Sequence, residues 1–119
     1  MVALVVEGRE LSVRLSRWER IAALTGSFDV PLSAVKSVVL VDKPWSALKG
    51  WRAPGTGVPR VIVYGTLRRQ GLRDFVAVLG KRPGVCVELD PGASPYARII
   101  ACVDDPESTT VSIRAAALI

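Results

Sequence analysis

The 119-residue chain is half apolar and 23% charged, proportions that suit a folded domain and exclude a disordered one, and its length suits a single domain over residues 1–119. It has two cysteines, Cys86 and Cys102, and no histidine. With no Cys-x-x-Cys pair, no metal site and no cofactor are expected, and Ser-His-Asp or Cys-His catalysis is excluded within the chain. The net charge of +5 is uneven: residues 36–82 hold ten Lys or Arg against two acids, and the remainder holds six against nine. That asymmetry marks either a face for an anionic partner or a basic surface that serves solubility.

Residues 2–6 and 11–15 read as short strands joined by a turn at Glu7-Gly8-Arg9-Glu10. The apolar run at 2–6 stops at Glu7 and carries no basic leader, so a cytoplasmic location is the expectation. Ser16-Arg17-Trp18-Glu19 is a capping box, which predicts a short helix near residues 17–24 with Trp18 and Ile21 inward and Gly26 as its stop. Residues 27–30 and 35–41 read as strands, with a single turn at Pro31-Leu32-Ser33 between them.

Residues 43–60 break this rhythm. Pro44 begins a helical turn, and Pro54, Gly55, Gly57 and Pro59 argue against regular structure beyond it. Strands are predicted at 61–66 and 73–79, with Arg68 and Arg69 in the hairpin tip between them. A second hairpin joins 84–89 to 98–103 through Asp90-Pro91-Gly92. Asp105 then caps a final helix, with Pro106 at its first position and Glu107 in its first turn. Val111, Ala115 and Leu118 fall at helical spacing and predict its buried stripe.

Catalysis finds little material. Asp104 and Asp105 are read as helix-capping residues, and Gly55-Thr56-Gly57 lacks the lysine and the strand-to-helix context of a phosphate loop. Cys86 and Cys102 are read as buried thiols on neighbouring strands. The richer signal lies in 43–60, where Trp45 and Trp51 accompany Lys49, Arg52 and Arg60, and in Arg68 and Arg69 of the next hairpin. Tryptophan beside basic side chains suits an interface, and Trp and Arg are the side chains enriched at binding hot spots. The plainer reading of Trp45 and Trp51 is that they pack into the core.

The stretches FDVPLSAVKSVVLVD, VIVYGTLRRQGLRDFVAVLG, VCVELD and ARIIACVDDPESTTVSIRAA, strands followed by one amphipathic helix, resemble bacterial pleckstrin-homology-like (PH-like) domains. The resemblance covers most of the chain. It implies a mainly β fold with helices: a partly open barrel of about seven antiparallel strands in two near-orthogonal sheets, plugged by the C-terminal helix. It also implies a binding module for lipid, peptide or protein, with homo-oligomers among the outcomes. The first hairpin turn is mixed in charge, so phosphoinositide recognition is not carried over.

The expectation is therefore a non-enzymatic module that binds a protein or peptide through Trp45, Lys49, Trp51, Arg52, Arg60, Arg68 and Arg69. The alternative is a peripheral binder of anionic membrane surfaces using the same residues. A third reading is a small-ligand-binding or cryptic enzymatic barrel. Nucleic acid is disfavoured, because no helix carries a basic row and no aromatic platform is evident.

Overall fold

The computed structural model describes residues 2–19, 26–42, 44, 51–58, 62–69, 71–80 and 82–118, with the backbone alone at 51–58, 62, 63, 68 and 69. Among the described residues nine strands form two sheets. The smaller sheet is built from β1 (Ala3–Glu7), β2 (Glu10–Arg14) and β3 (Phe28–Pro31), all antiparallel. Leu4, Leu11, Val13 and Val30 are buried on it. Leu4 opposes Val13 and Leu11 opposes Val30, so these apolar residues fall on one face.

A 3-10 turn at Leu32–Ala34 leads into the larger sheet. This sheet comprises β4 (Val35–Val41), β5 (Trp51–Val58), β6 (Ile62–Arg69), β7 (Leu72–Leu79), β8 (Gly84–Leu89) and β9 (Arg98–Cys102), in the order β4-β8-β9-β7-β6-β5. Its centre is buried on both sides. On β7, Phe75 and Ala77 join the main core while Val76 and Val78 join a second cluster. On β9, Ile99 and Ala101 divide from Ile100 and Cys102 in the same way. Central strands buried on both faces read as unbroken apolar runs, as FVAVL and IIAC do. The main core lies between the two sheets, around Leu11, Val13, Val30, Tyr64, Phe75, Val87 and Ile99.

Three expectations are corrected. Nine strands replace about seven, β7 and β9 run parallel, and the two sheets do not close into a barrel. The glycine- and proline-rich segment is a strand: β5 runs through Pro54, Gly55 and Gly57. It does so because β5 is an edge strand, where a proline need not donate to a neighbour, and because the register slips between Arg52 and Gly55. Arg68 and Arg69 belong to β6, not to a loop, since the hairpin closes at Arg69 opposite Leu72, with Gly71 at φ +80° in the turn. Gly84 is required for another reason: a Cβ there would sit 2.5 Å from the Ala101 carbonyl oxygen.

Helix α1 (Pro106–Ala117) forms with its predicted cap, the Asp105 carboxylate accepting from the Ser108 amide at 3.1 Å. Its buried stripe is another correction. Thr110 and Ile113 face inward, and Ala117 packs against the core, while Val111, Ala115 and Leu118 face solvent. Thr110 is buried because its hydroxyl donates to the Pro106 carbonyl at 2.8 Å, so no polar group is stranded. The helix lies against β4, β1, β8 and the 3-10 turn. Of the short helix expected near 17–24, residues 17–19 are helical and the remainder lies outside the described residues. No helix of the described residues is long and apolar enough to cross a membrane.

Candidate functional site

The register of the large sheet gathers part of the expected basic face. Trp51 on β5 stands opposite Arg68 on β6, and Arg68 stands opposite Arg73 on β7. Three residues from three strands therefore occupy one row. Arg69 lies one position beyond this row, and Arg52, opposite Leu67, one position inside it. Trp45, Lys49 and Arg60 lie outside the described residues. Arg82 sits at the far end of β7, past Leu79, and does not share this end of the sheet.

Arg73 is exposed, yet its position is fixed. Its guanidinium lies over the Tyr96 ring, 5.5 Å from the centroid, and donates to the Pro95 carbonyl at 3.1 Å. The Ala97 amide donates to the Arg73 carbonyl at 2.7 Å. Tyr96 in turn packs against Phe28 and Phe75, with centroids 4.9 and 5.8 Å away. A charged head on a rigid aromatic seat keeps its surface exposure while losing little freedom on contact.

One row further in lies a polar set that the sequence reading missed. Asp74 on β7 stands opposite Arg98 on β9, which stands opposite Glu88 on β8. Arg98 Nη2 is 3.7 Å from Asp74 Oδ2 and Arg98 Nε is 3.5 Å from Glu88 Oε1. Asp74 is 1% exposed and Arg98 8%. The Glu88–Arg98 half was readable from the hairpin that joins their strands. The Asp74 half depends on the parallel β7–β9 contact, which no local pattern announces.

Cys86 is flanked by this row, its Sγ 4.0 Å from Glu88 Oε1. Burial and then the Glu88 charge push its thiol above the ordinary value. Burial also raises Cys102. Both are free and buried, as expected of core thiols. Cys86 pairs with Ile100 and Cys102 with Gly84, so the cysteines sit diagonally on adjacent strands, a spacing of about 7–8 Å between Cα atoms that exceeds the usual disulfide span. Protonated, enclosed thiols are poor nucleophiles.

The capping box leads inward. Glu19 is completely buried, its Oε1 accepting from the Ser16 amide at 2.9 Å and its Oε2 from the Tyr64 hydroxyl at 2.6 Å. Burial works to raise this carboxyl, but the bonds from Tyr64 and Ser16 outweigh it and hold it below its ordinary value. Tyr64 is driven far upward by burial and by its bond to the Glu19 carboxylate. Trp18, expected inward, is 49% exposed and rests against the Tyr64 ring at 5.2 Å. The carboxylate, not the indole, occupies the interior, because two donors await it there. The pair ties the 17–19 turn to β6, and a phenol raised so far only donates.

A shallow open groove of about 420 Å³ crosses β2 and β3, lined by Ser12, Arg14, Leu15, Ser27, Phe28 and Asp29. Arg14 is already ion-paired with Glu7. The described residues contain no group of three or more His, Cys, Asp or Glu side chains placed to hold a metal ion. Compared with protein-family models, curated proteins and solved structures, the chain matches none.

Proposed function

We propose that this chain is a binding module whose contact surface is the basic end of the large sheet, and that its partner is an acidic protein segment. One observation carries the reading: exposed Arg73, braced over Tyr96, stands in one register row with Arg68 and Trp51. Arg52 and Arg69 lie one position from that row, so four arginine positions on three strands fall at one end of the sheet. Binding is favoured over catalysis because the two thiols are held protonated, the chain has no histidine, and the buried Glu19 carboxylate is locked to Tyr64.

Magnitude favours a protein partner over a membrane. Four basic residues near an anionic bilayer contribute about 4 kcal/mol together, which corresponds to roughly millimolar binding. An acidic segment that pairs with the arginines in fixed geometry adds charge-assisted hydrogen bonds to the same attraction. Fluorescence anisotropy with a labelled oligoglutamate peptide tests this. Binding that weakens as salt rises, and weakens roughly tenfold in Arg73→Ala, is the expected result. Flotation with phosphatidylserine vesicles is the second arm. Capture by those vesicles, with no response to the peptide, replaces this reading with the membrane one.

A further inference from the structure

Arg73 brings to the basic end a charge that no acid among the described residues balances, since none is ion-paired with it. Asp74, the next residue along β7, turns to the other face of the sheet, where it stands opposite Leu67 and is engaged with Arg98. Arg73 shares instead the face of Phe75, toward Tyr96. Directly opposite it on β6 is a second arginine, Arg68. Opposed residues of an antiparallel pair share a face, with Cβ atoms roughly 4.5–5.5 Å apart, and like charges so placed repel each other. Arg52 pairs with Leu67 and Arg69 with Leu72, so both alternate to the other face. Of the four arginines at this end, two therefore share one face.

The surroundings of Arg73 also fix what it offers. Its guanidinium lies over the Tyr96 ring, and one of its five N–H donors goes to the Pro95 carbonyl, which leaves four for a ligand. The Ala97 amide donates to the Arg73 carbonyl, and the Ser94 hydroxyl, between the Asp90 and Tyr96 carbonyls, braces the loop that carries the ring. The fork is thus held in place before any ligand arrives, and ordering it on contact costs little.

We propose, resting on the acidic-segment reading above, that the anion selected at this end is a phosphate monoester, carried as a phosphorylated side chain of that segment and seated between Arg73 and Arg68. Charge and oxygen number separate it from a carboxylate. A carboxylate has one charge and two oxygens, which a single arginine fork occupies. A phosphate monoester carries about −1.5 to −2 charges near pH 7 and three strong acceptor oxygens. It neutralises two opposed guanidinium groups and accepts a fork from each. The repulsion across the Arg68–Arg73 pair, unfavourable in the free chain, is then offset in the complex.

Fluorescence anisotropy of the full chain with three labelled peptides tests the proposal: four glutamates around one serine, the same peptide phosphorylated on that serine, and one in which two added glutamates match the charge of the phosphate. The phosphopeptide is expected to bind about tenfold tighter than the charge-matched peptide. Arg73→Lys and Arg68→Lys each keep the charge and lose the fork, so each brings those two affinities together. Equal affinity for the two peptides in the unaltered chain overturns the proposal and leaves the acidic-segment reading standing. Discrimination that survives Arg68→Lys puts the anion on Arg73 alone and overturns the shared seat. No binding of any of the three peptides overturns both readings. Inorganic phosphate is expected to compete only in large excess; displacement of the phosphopeptide at equal concentration assigns the site to the free ion instead. Vesicles containing phosphatidic acid present the same monoester on a lipid, and capture by them without a response to the phosphopeptide overturns the proposal in favour of a headgroup.

Discussion

Glu19 and Asp74 are both buried carboxylates, and the chain accommodates them by opposite means. Glu19 is held by neutral donors, a phenol and a backbone amide, at 2.6 and 2.9 Å. Asp74 is held by a charge, with the Arg98 guanidinium 3.7 Å away and Glu88 balancing it on the other side. Neutral donors compensate a buried charge locally, and removing the acid strands a hydroxyl and an amide rather than a buried ion. A buried arginine differs: each ion depends on the other, because desolvation is several kcal/mol for either alone. Glu19 therefore works as a clamp that joins a helical turn to β6. The Asp74–Arg98–Glu88 row works as a seam across three strands, directly beneath the proposed contact surface.

The largest expected effect follows from that interdependence. Arg98→Met takes the guanidinium away from buried Asp74 and lowers unfolding free energy by about 3–5 kcal/mol, read from urea denaturation. Adding Asp74→Leu regains most of the loss, since a packed apolar pair replaces the ions. A loss below about 1 kcal/mol in the single variant breaks the comparison, because Asp74 would then be no more dependent than Glu19.

Tyr64→Phe comes next. It deletes one hydrogen bond to a charged acceptor and leaves the Ser16 amide in place, an expected loss of about 1.5–3 kcal/mol. Its pH dependence sharpens the contrast. Folded Glu19 lies below its ordinary 4.5, so the unfolded chain takes up a proton first. The Glu19 contribution is complete above that value and disappears as pH falls through the lower folded one. Tyr64 behaves oppositely. Its folded pKa is raised, so its contribution is complete below 10.0 and is lost as pH climbs beyond that toward the folded value. Tyr64→Phe removes Tyr64's share of the alkaline loss, leaves that of the two raised thiols, and shrinks the acid loss, whereas Arg98→Met leaves Tyr64's share in place.

These two carboxylates also show what a sequence discloses. The Ser16-to-Glu19 spacing announced the capping box, because the motif is local and each residue supplies what the other lacks. The inward turn of Glu19 was not announced, since its second donor, Tyr64, lies 45 positions away. Most strands were legible from apolar alternation and turn residues. β5 was not, because the rule that proline breaks strands is weak at an edge, and edge status belongs to the assembled sheet. The stripe of α1 was misjudged by reading polarity as exposure: Thr110 satisfies its own hydroxyl and goes inside, leaving Val111 and Leu118 outside. At the basic end, Arg68 and Arg69 were expected in a hairpin tip and instead end β6. The row of Arg68 with Trp51 and Arg73 arose only from strand register.

The smallest expected effect comes from a third carboxylate. Asp105 accepts from the Ser108 amide at 3.1 Å, much as Glu19 accepts from Ser16, but in an exposed position. Water supplies an alternative partner to both groups there, so Asp105→Ala lowers stability by about 1 kcal/mol. Asp105→Asn, which keeps the acceptor and removes the charge, loses only the part due to the helix dipole, roughly a few tenths of a kcal/mol at moderate salt. The corresponding Glu19→Gln change is costlier, because one of the two carboxylate oxygens becomes an NH₂ facing a buried donor. Urea denaturation of the two amide variants side by side measures that difference. Equal losses at the two sites would mean that Glu19, despite its enclosure, is no more than a cap.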